Sequence, residues 1–144
     1  GTSCVGGNSV SFARYFKRVH AVEIDKIRFD MLARNVGVLD LGDKVECYHG
    51  NYVHGNVELS QDVIFMDPPW GGPHMMSLDK VTFPLGGVSL KELAGRLRSR
   101  CRILALKLSP NYDLTEFTGV GAKQKLYRDF RKMILLIIEF GSQP

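Results

Sequence analysis

An α/β fold with a largely parallel sheet is predicted by three features of the sequence. Short apolar, β-branched segments alternate with helix-periodic ones, a glycine pair separates the first strand from the first helix, and Asp67-Pro68-Pro69-Trp70 directly follows an apolar strand. The last two features matter for function as well, because open parallel sheets bind ligands at the carboxyl ends of their strands.

The elements follow in order. Gly1 to Val5 reads as the stub of a truncated first strand. After the Gly6-Gly7 turn comes a helix near Asn8 to Phe16, with Asn8 as its N-cap and Phe12 and Phe16 on one face. Val19 to Ile24 is the second strand. Asp25 then caps a helix that places Ile27, Met31, Leu32 and Asn35 at helical spacing and stops at Gly37. Lys44 to Tyr48 is the third strand, Asp62 to Met66 the fourth and Ile103 to Leu108 the fifth. Ser89 with Glu92 forms a capping box before the helix between the last two. Lys123 to Phe130 and Lys132 to Phe140 lie too close together for a helical crossover, which predicts an antiparallel hairpin at the sheet edge. The longest irregular stretch is Pro68 to Gly87, rich in Gly, Pro and Met, and loops of that length are often functional.

The 144 residues suit one domain spanning 1–144 and one apolar core. A composition of 44% hydrophobic and 24% charged residues is that of a globular protein, and no apolar run approaches the roughly 18 residues of a membrane span. The longest apolar stretch, Met133 to Ile138, has the length of a buried strand. Cys4, Cys47 and Cys101 are odd in number and widely spaced, which argues against a disulfide framework or a zinc knuckle and for a reducing, intracellular setting. A net charge of +4 and a pI near 9.1 favour an anionic partner. The chain opens at Gly1 inside an element, as expected of part of a longer protein.

Two readings compete for the turn Cys4-Val5-Gly6-Gly7-Asn8. It is plain turn chemistry, or its glycines admit a ligand to the backbone at a helix N-terminus. Glu23, at the end of the second strand, stands where doubly wound nucleotide-binding folds place an acid on the ribose hydroxyls; the competing reading is a solvated strand-end charge. Asp25 is read as a helix cap.

Asp67-Pro68-Pro69-Trp70 is the most specific signal. Two prolines in series fix the backbone and withhold their N–H groups, so their carbonyls face a substrate amine, and Asp67 adds a carboxylate acceptor. A base amine is a weak nucleophile because its lone pair is delocalised, and acceptors on its N–H bonds help localise that pair. Trp70 offers a face on which a base stacks, more strongly if the base is cationic; the bland alternative is a core tryptophan before a turn. The sequence shows no metal-ligand cluster, and a reaction governed by orientation needs none.

With these motifs in this order the chain resembles the trimethylguanosine synthase family, the RNA cap guanine-N2 methyltransferases. The likeness runs through Val5-Gly6-Gly7-Asn8, Phe12-Ala13, Glu23, Ala33-Arg34-Asn35, Asp62-Val63, Pro68-Pro69-Trp70-Gly71-Gly72-Pro73 and Asn111. The resemblance implies a class I S-adenosylmethionine-dependent methyltransferase (Rossmann-like) sheet with a C-terminal antiparallel hairpin. It implies S-adenosylmethionine as donor and a 7-methylguanosine RNA cap as acceptor, hence a capped small RNA as partner and a nuclear setting. Donor contacts then fall to Cys4, Val5, Gly6, Gly7, Asn8, Glu23, Ile24, Asn51 and Asp67. Catalysis falls to Asp67, Pro68 and Trp70, and substrate contacts to Trp70, Lys107 and Asn111.

The chain departs from the family pattern in places. Ser3 and Cys4 stand where the family has Cys and its first Gly, and Asn51 where an Asp commonly meets the adenine amine. Asp67 replaces a frequent Ser, and Pro110 an expected Arg. Lys107 and the cluster Lys123, Lys125, Arg128, Arg131 and Lys132 are candidates for phosphate contacts, against a reading as solvated strand faces. An amino-methyltransferase acting on guanine or adenine in ribosomal RNA or DNA, and a non-catalytic RNA-binding relative, remain alternatives.

Overall fold

The computed structural model describes residues 2–55, 59–127 and 132–141. Two compact units, Gly1–Glu58 and Leu59–Pro144, are taken in turn.

The first unit contains α1 (Gly7–Phe12), β1 (Val19–Glu23), α2 (Lys26–Val38) and β2 (Val45–His49), with β1 and β2 parallel and Glu23 opposite His49. Its core joins Ala13, Ala21, Leu32, Val36 and Val45. Asp25 caps α2 as its sequence position predicts, its side chain accepting the Arg28 N–H at 2.8 Å.

Several details differ from expectation. Gly1 to Val5 contains no strand among its described residues; contact with β1 is made by the Ser3 N–H, which donates to the Val22 carbonyl at 3.1 Å. Asn8 is not the N-cap of α1. Gly6 holds that place at φ 101°, a conformation that favours glycine over any residue with a Cβ, and Asn8 sits inside the first turn. Gly37 does not stop α2, which runs on to Val38, and the left-handed residue that follows is Asp40 at φ 54°. The buried face of α2 is carried by Leu32 and Val36, whereas Ile27 and Met31 are exposed. Their spacing matched a helix, but spacing alone does not say which of two adjacent stripes turns inward.

The second unit contains β3 (Gln61–Met66), α3 (Pro73–Met76), α4 (Leu90–Leu97), β4 (Cys101–Leu108), a 3-10 turn (Leu114–Phe117), β5 (Lys123–Tyr127) and β6 (Ile134–Glu139). Its sheet has the order β3-β4-β6-β5; β3 and β4 are parallel, and β6 runs antiparallel to both β4 and β5. The predicted hairpin is present, β5 is its outer strand, and residues 128–131 between the strands lie outside the described set. Ile134, Leu136 and Ile138 of β6 are buried in alternation, as the period of a strand requires. Helix α4 buries Leu90, Leu93, Ala94 and Leu97 on one face, and Ser89 caps it by accepting the Glu92 N–H at 3.1 Å. The stretch from Pro68 to Gly87 is less irregular than expected. It contains α3, and Val81 forms a bridge with Tyr112 beside the edge-on ring pair of Phe83 and Tyr112.

Candidate functional site

In the first unit the parallel pairing brings the carboxyl ends of β1 and β2 to one edge. Glu23 ends β1 only 6% exposed, so it is a buried acid rather than a solvated charge. Its Oε2 accepts the Cys4 N–H at 2.7 Å and its Oε1 accepts the Asp25 N–H at 3.0 Å, tying the glycine turn to the start of α2. The turn has a second anchor in Asn35 of α2, whose Nδ2 donates to the Val5 carbonyl at 2.8 Å. Cys4 is held in the left-handed region at φ 50°. Val5 and Ile24 present exposed apolar side chains at this edge.

Gly6 is closely fitted as well as left-handed, since a Cβ there would lie 2.8 Å from Leu32 Cδ1, and Leu32 is fully buried. Gly6→Ala should therefore lower stability by about 2 kcal/mol. The denaturant midpoint measures this, and an unchanged midpoint would show that the turn tolerates a side chain.

Asn51 lies just beyond β2. Its Oδ1 accepts the N–H groups of Val53 at 3.0 Å and His54 at 3.2 Å, so the oxygen expected to receive an adenine amine already closes its own loop.

In the second unit the carboxyl ends of β3 and β4 are adjacent, with Met66 opposite Leu106. Asp67 follows β3 and Lys107 is near the end of β4, and the Lys107 Nζ lies 2.6 Å from Asp67 Oδ2. Trp70 completes the group: its indole N–H donates to the Lys107 carbonyl at 3.3 Å, and the Lys107 ammonium stands 5.6 Å from the ring centroid. Trp70 is partly exposed rather than buried in the core. Pro68 is fully buried beside them.

The chain leaves this group through Gly71, at φ 80°, where a Cβ would lie 2.5 Å from Met75 Cγ. Asn111, expected at substrate, fastens that exit through its amide nitrogen. Its Nδ2 donates to the carbonyls of Met75 at 2.8 Å and Leu78 at 2.7 Å. Lys125 pairs with Glu139 at 3.3 Å, and Lys123 and Lys132 are exposed; Arg128 and Arg131 lie outside the described residues.

Sequence spacing located Asp67, Pro68, Trp70, Glu23 and the glycine turn, but it did not reveal two of the contacts that hold them. Lys107 was a candidate for phosphate and is found on Asp67. Asn35 stands in the sequence both at helical spacing and within the Ala33-Arg34-Asn35 run of the family likeness, but its hold on the Val5 carbonyl is visible only in the structure. Among the described residues no group of three His, Cys, Asp or Glu side chains is arranged to hold a metal ion, and no helix is long and apolar enough to cross a membrane.

What the arrangement offers chemically is specific. A carboxylate has about four lone-pair directions, so Asp67 can hold Lys107 and still accept an amine N–H. The tethered indole beside it gives a flat face for a ring that carries such an amine.

Comparison with known proteins gives a family and a fold. A family profile described as RNA cap guanine-N2 methyltransferase matches residues 2–139. An uncharacterized protein of Acanthamoeba polyphaga mimivirus is 32% identical over 144 residues, covering 96% of this chain and 56% of that protein. The chain thus spans about half the length of this curated relative. Among solved structures, the T. thermophilus 16S rRNA N2 G1207 methyltransferase in complex with AdoMet and guanosine superposes with a TM-score of 0.73 at 16% identity, over 96% of this chain and 35% of that one. An RNA methyltransferase from Salinibacter ruber in complex with S-adenosyl-L-homocysteine gives 0.65 at 14% identity, over 99% and 79%. These likenesses show the fold, that of class I S-adenosylmethionine-dependent methyltransferases, with the antiparallel hairpin expected from the sequence.

Proposed function

The chain belongs to the RNA cap guanine-N2 methyltransferase family, and from that premise we propose that it transfers a methyl group from S-adenosylmethionine to the exocyclic amine of a 7-methylguanosine RNA cap. The observation that carries the reading is the cluster of Asp67, Trp70 and Lys107 at the carboxyl ends of β3 and β4.

The donor supplies a methyl group already activated on a sulfonium, so the protein's work is to bind and orient. The first unit's residues fit the donor's polar and apolar parts. The backbone of Val5, Gly6 and Gly7 gives close approach, while the exposed Val5 and Ile24 give apolar cover for an adenine ring. Glu23 has both oxygens on backbone amides, yet a carboxylate retains further acceptor directions toward a ribose.

On the acceptor side Trp70 stacks the guanine. Asp67 and the Pro68 carbonyl accept its amine hydrogens, turning the nitrogen lone pair outward. With the donor bound, the amine that accepts its methyl group would become acidic, and the Asp67 carboxylate would take that proton on to solvent. The partner would be a capped small RNA, whose phosphates suit the chain's net charge of +4.

The test is transfer to 7-methylguanosine diphosphate against guanosine diphosphate. The charged base should be favoured by about two- to thirtyfold in kcat/KM, the range of a cation–π contact. Equal rates would remove the cap assignment while leaving guanine amine transfer. A second reading, an unmethylated guanine within a larger RNA, is favoured by the position of the Lys107 ammonium, since a cation already lies over Trp70.

A further inference from the structure

Lys107 touches both other members of the acceptor side. Its ammonium lies 2.6 Å from Asp67 Oδ2 and 5.6 Å from the Trp70 ring centroid, while its carbonyl holds the indole N–H at 3.3 Å. The Lys107 and Asp67 side chains are only 29% and 23% exposed, so their charges are screened less than those of surface groups.

A purine stacked on Trp70 would lie near the Lys107 ammonium, whose field the paired Asp67 carboxylate offsets in part. For a neutral guanine the remaining field matters little. A cationic 7-methylguanine is attracted by the indole face and by Asp67 but opposed by Lys107, which also competes for the attraction of the ring. Resting on the reading of Trp70 as the base platform, the geometry points to Lys107 as a specificity-determining residue that sets how strongly a charged base is preferred over a neutral one. The same residue orients Trp70 through its main chain, which a side-chain substitution leaves in place.

Trp70 is the only tryptophan in the 144 residues, so quenching of its fluorescence reports directly on a base that stacks against it. The experiment titrates this chain with 7-methylguanosine diphosphate and with guanosine diphosphate, in the wild type and in Lys107→Met, Lys107→Gln and Lys107→Arg. The two neutral variants should raise the affinity ratio, charged base over neutral base, by about five- to tenfold. Lys107→Arg keeps the charge and should leave the ratio within about twofold.

A packing role or a phosphate contact would lower both affinities in parallel; an unchanged or reduced ratio in both neutral variants therefore overturns the proposal. Absence of quenching by either ligand overturns it too, because no base then lies on Trp70. Methyl transfer from S-adenosylmethionine, followed on the same samples, judges the enzymatic reading separately. Transfer with an unmoved ratio sinks only the role of Lys107, and a shifted ratio without transfer sinks only the catalysis.

Discussion

Asp67→Asn should reduce the single-turnover rate of methyl transfer by about a hundredfold or more while leaving donor affinity near that of the wild type. The substitution keeps the shape of the side chain and one oxygen acceptor. It removes the negative charge, and hydrogen bonds to an ionised acceptor are about twice as strong as neutral ones. It also leaves the Lys107 ammonium, now 2.6 Å from Asp67 Oδ2, facing a neutral amide. Because both side chains remain partly solvated, the cost in stability should stay near 1 kcal/mol, so lost transfer is not explained by lost fold. Single-turnover kinetics at saturating donor, alongside calorimetric titration with S-adenosylmethionine, separates the two effects. A wild-type rate would show that the amine is oriented by other groups.

The second large effect is expected at Glu23. Its two carboxylate oxygens hold the N–H groups of Cys4 and Asp25, and Cys4 is kept in the left-handed region at φ 50°. Glu23→Ala removes both bonds and lets Cys4 relax, which should cost about 3 kcal/mol of stability. Donor affinity should fall by about a hundredfold, because the turn loses its shape and the ribose loses its acceptor. Thermal or denaturant unfolding gives the first quantity and calorimetry with S-adenosylmethionine the second. Glu23→Gln refines the result: it keeps the size but must turn an amide NH2 toward one of the two backbone donors. If Glu23→Gln binds donor like the wild type, Glu23 serves neither the turn nor the ribose.

These two residues show how unevenly the site could be read from the chain. Asp67 was recognisable because it precedes two prolines and a tryptophan after an apolar strand, all within a few residues. Its partner was not recognisable, since Lys107 sits on the neighbouring parallel strand and meets Asp67 only through the register that sets Met66 opposite Leu106. Glu23 was placed at a strand end by pattern, but its burial and its grip on Cys4 depend on how the turn folds back along β1, where the Ser3 N–H meets the Val22 carbonyl. The family likeness implies ligand contacts for Asn51 and Asn111, and the sequence alone gives no sign of what else they hold. The structure puts the Asn51 oxygen and the Asn111 amide on neighbouring backbone groups.

By itself, then, the amino-acid order determined what is local: the alternation of strands and helices, the caps at Asp25 and Ser89, the hairpin forced by a short connection, and the family through a compact motif. Only the tertiary structure decided which helix stripe of α2 turned inward, why Gly6 rather than Asn8 begins α1, and that one lysine joins carboxylate and indole. The reason is range. Backbone preferences and caps act over about four residues, whereas these pairings depend on strand register and close packing among groups far apart in the chain.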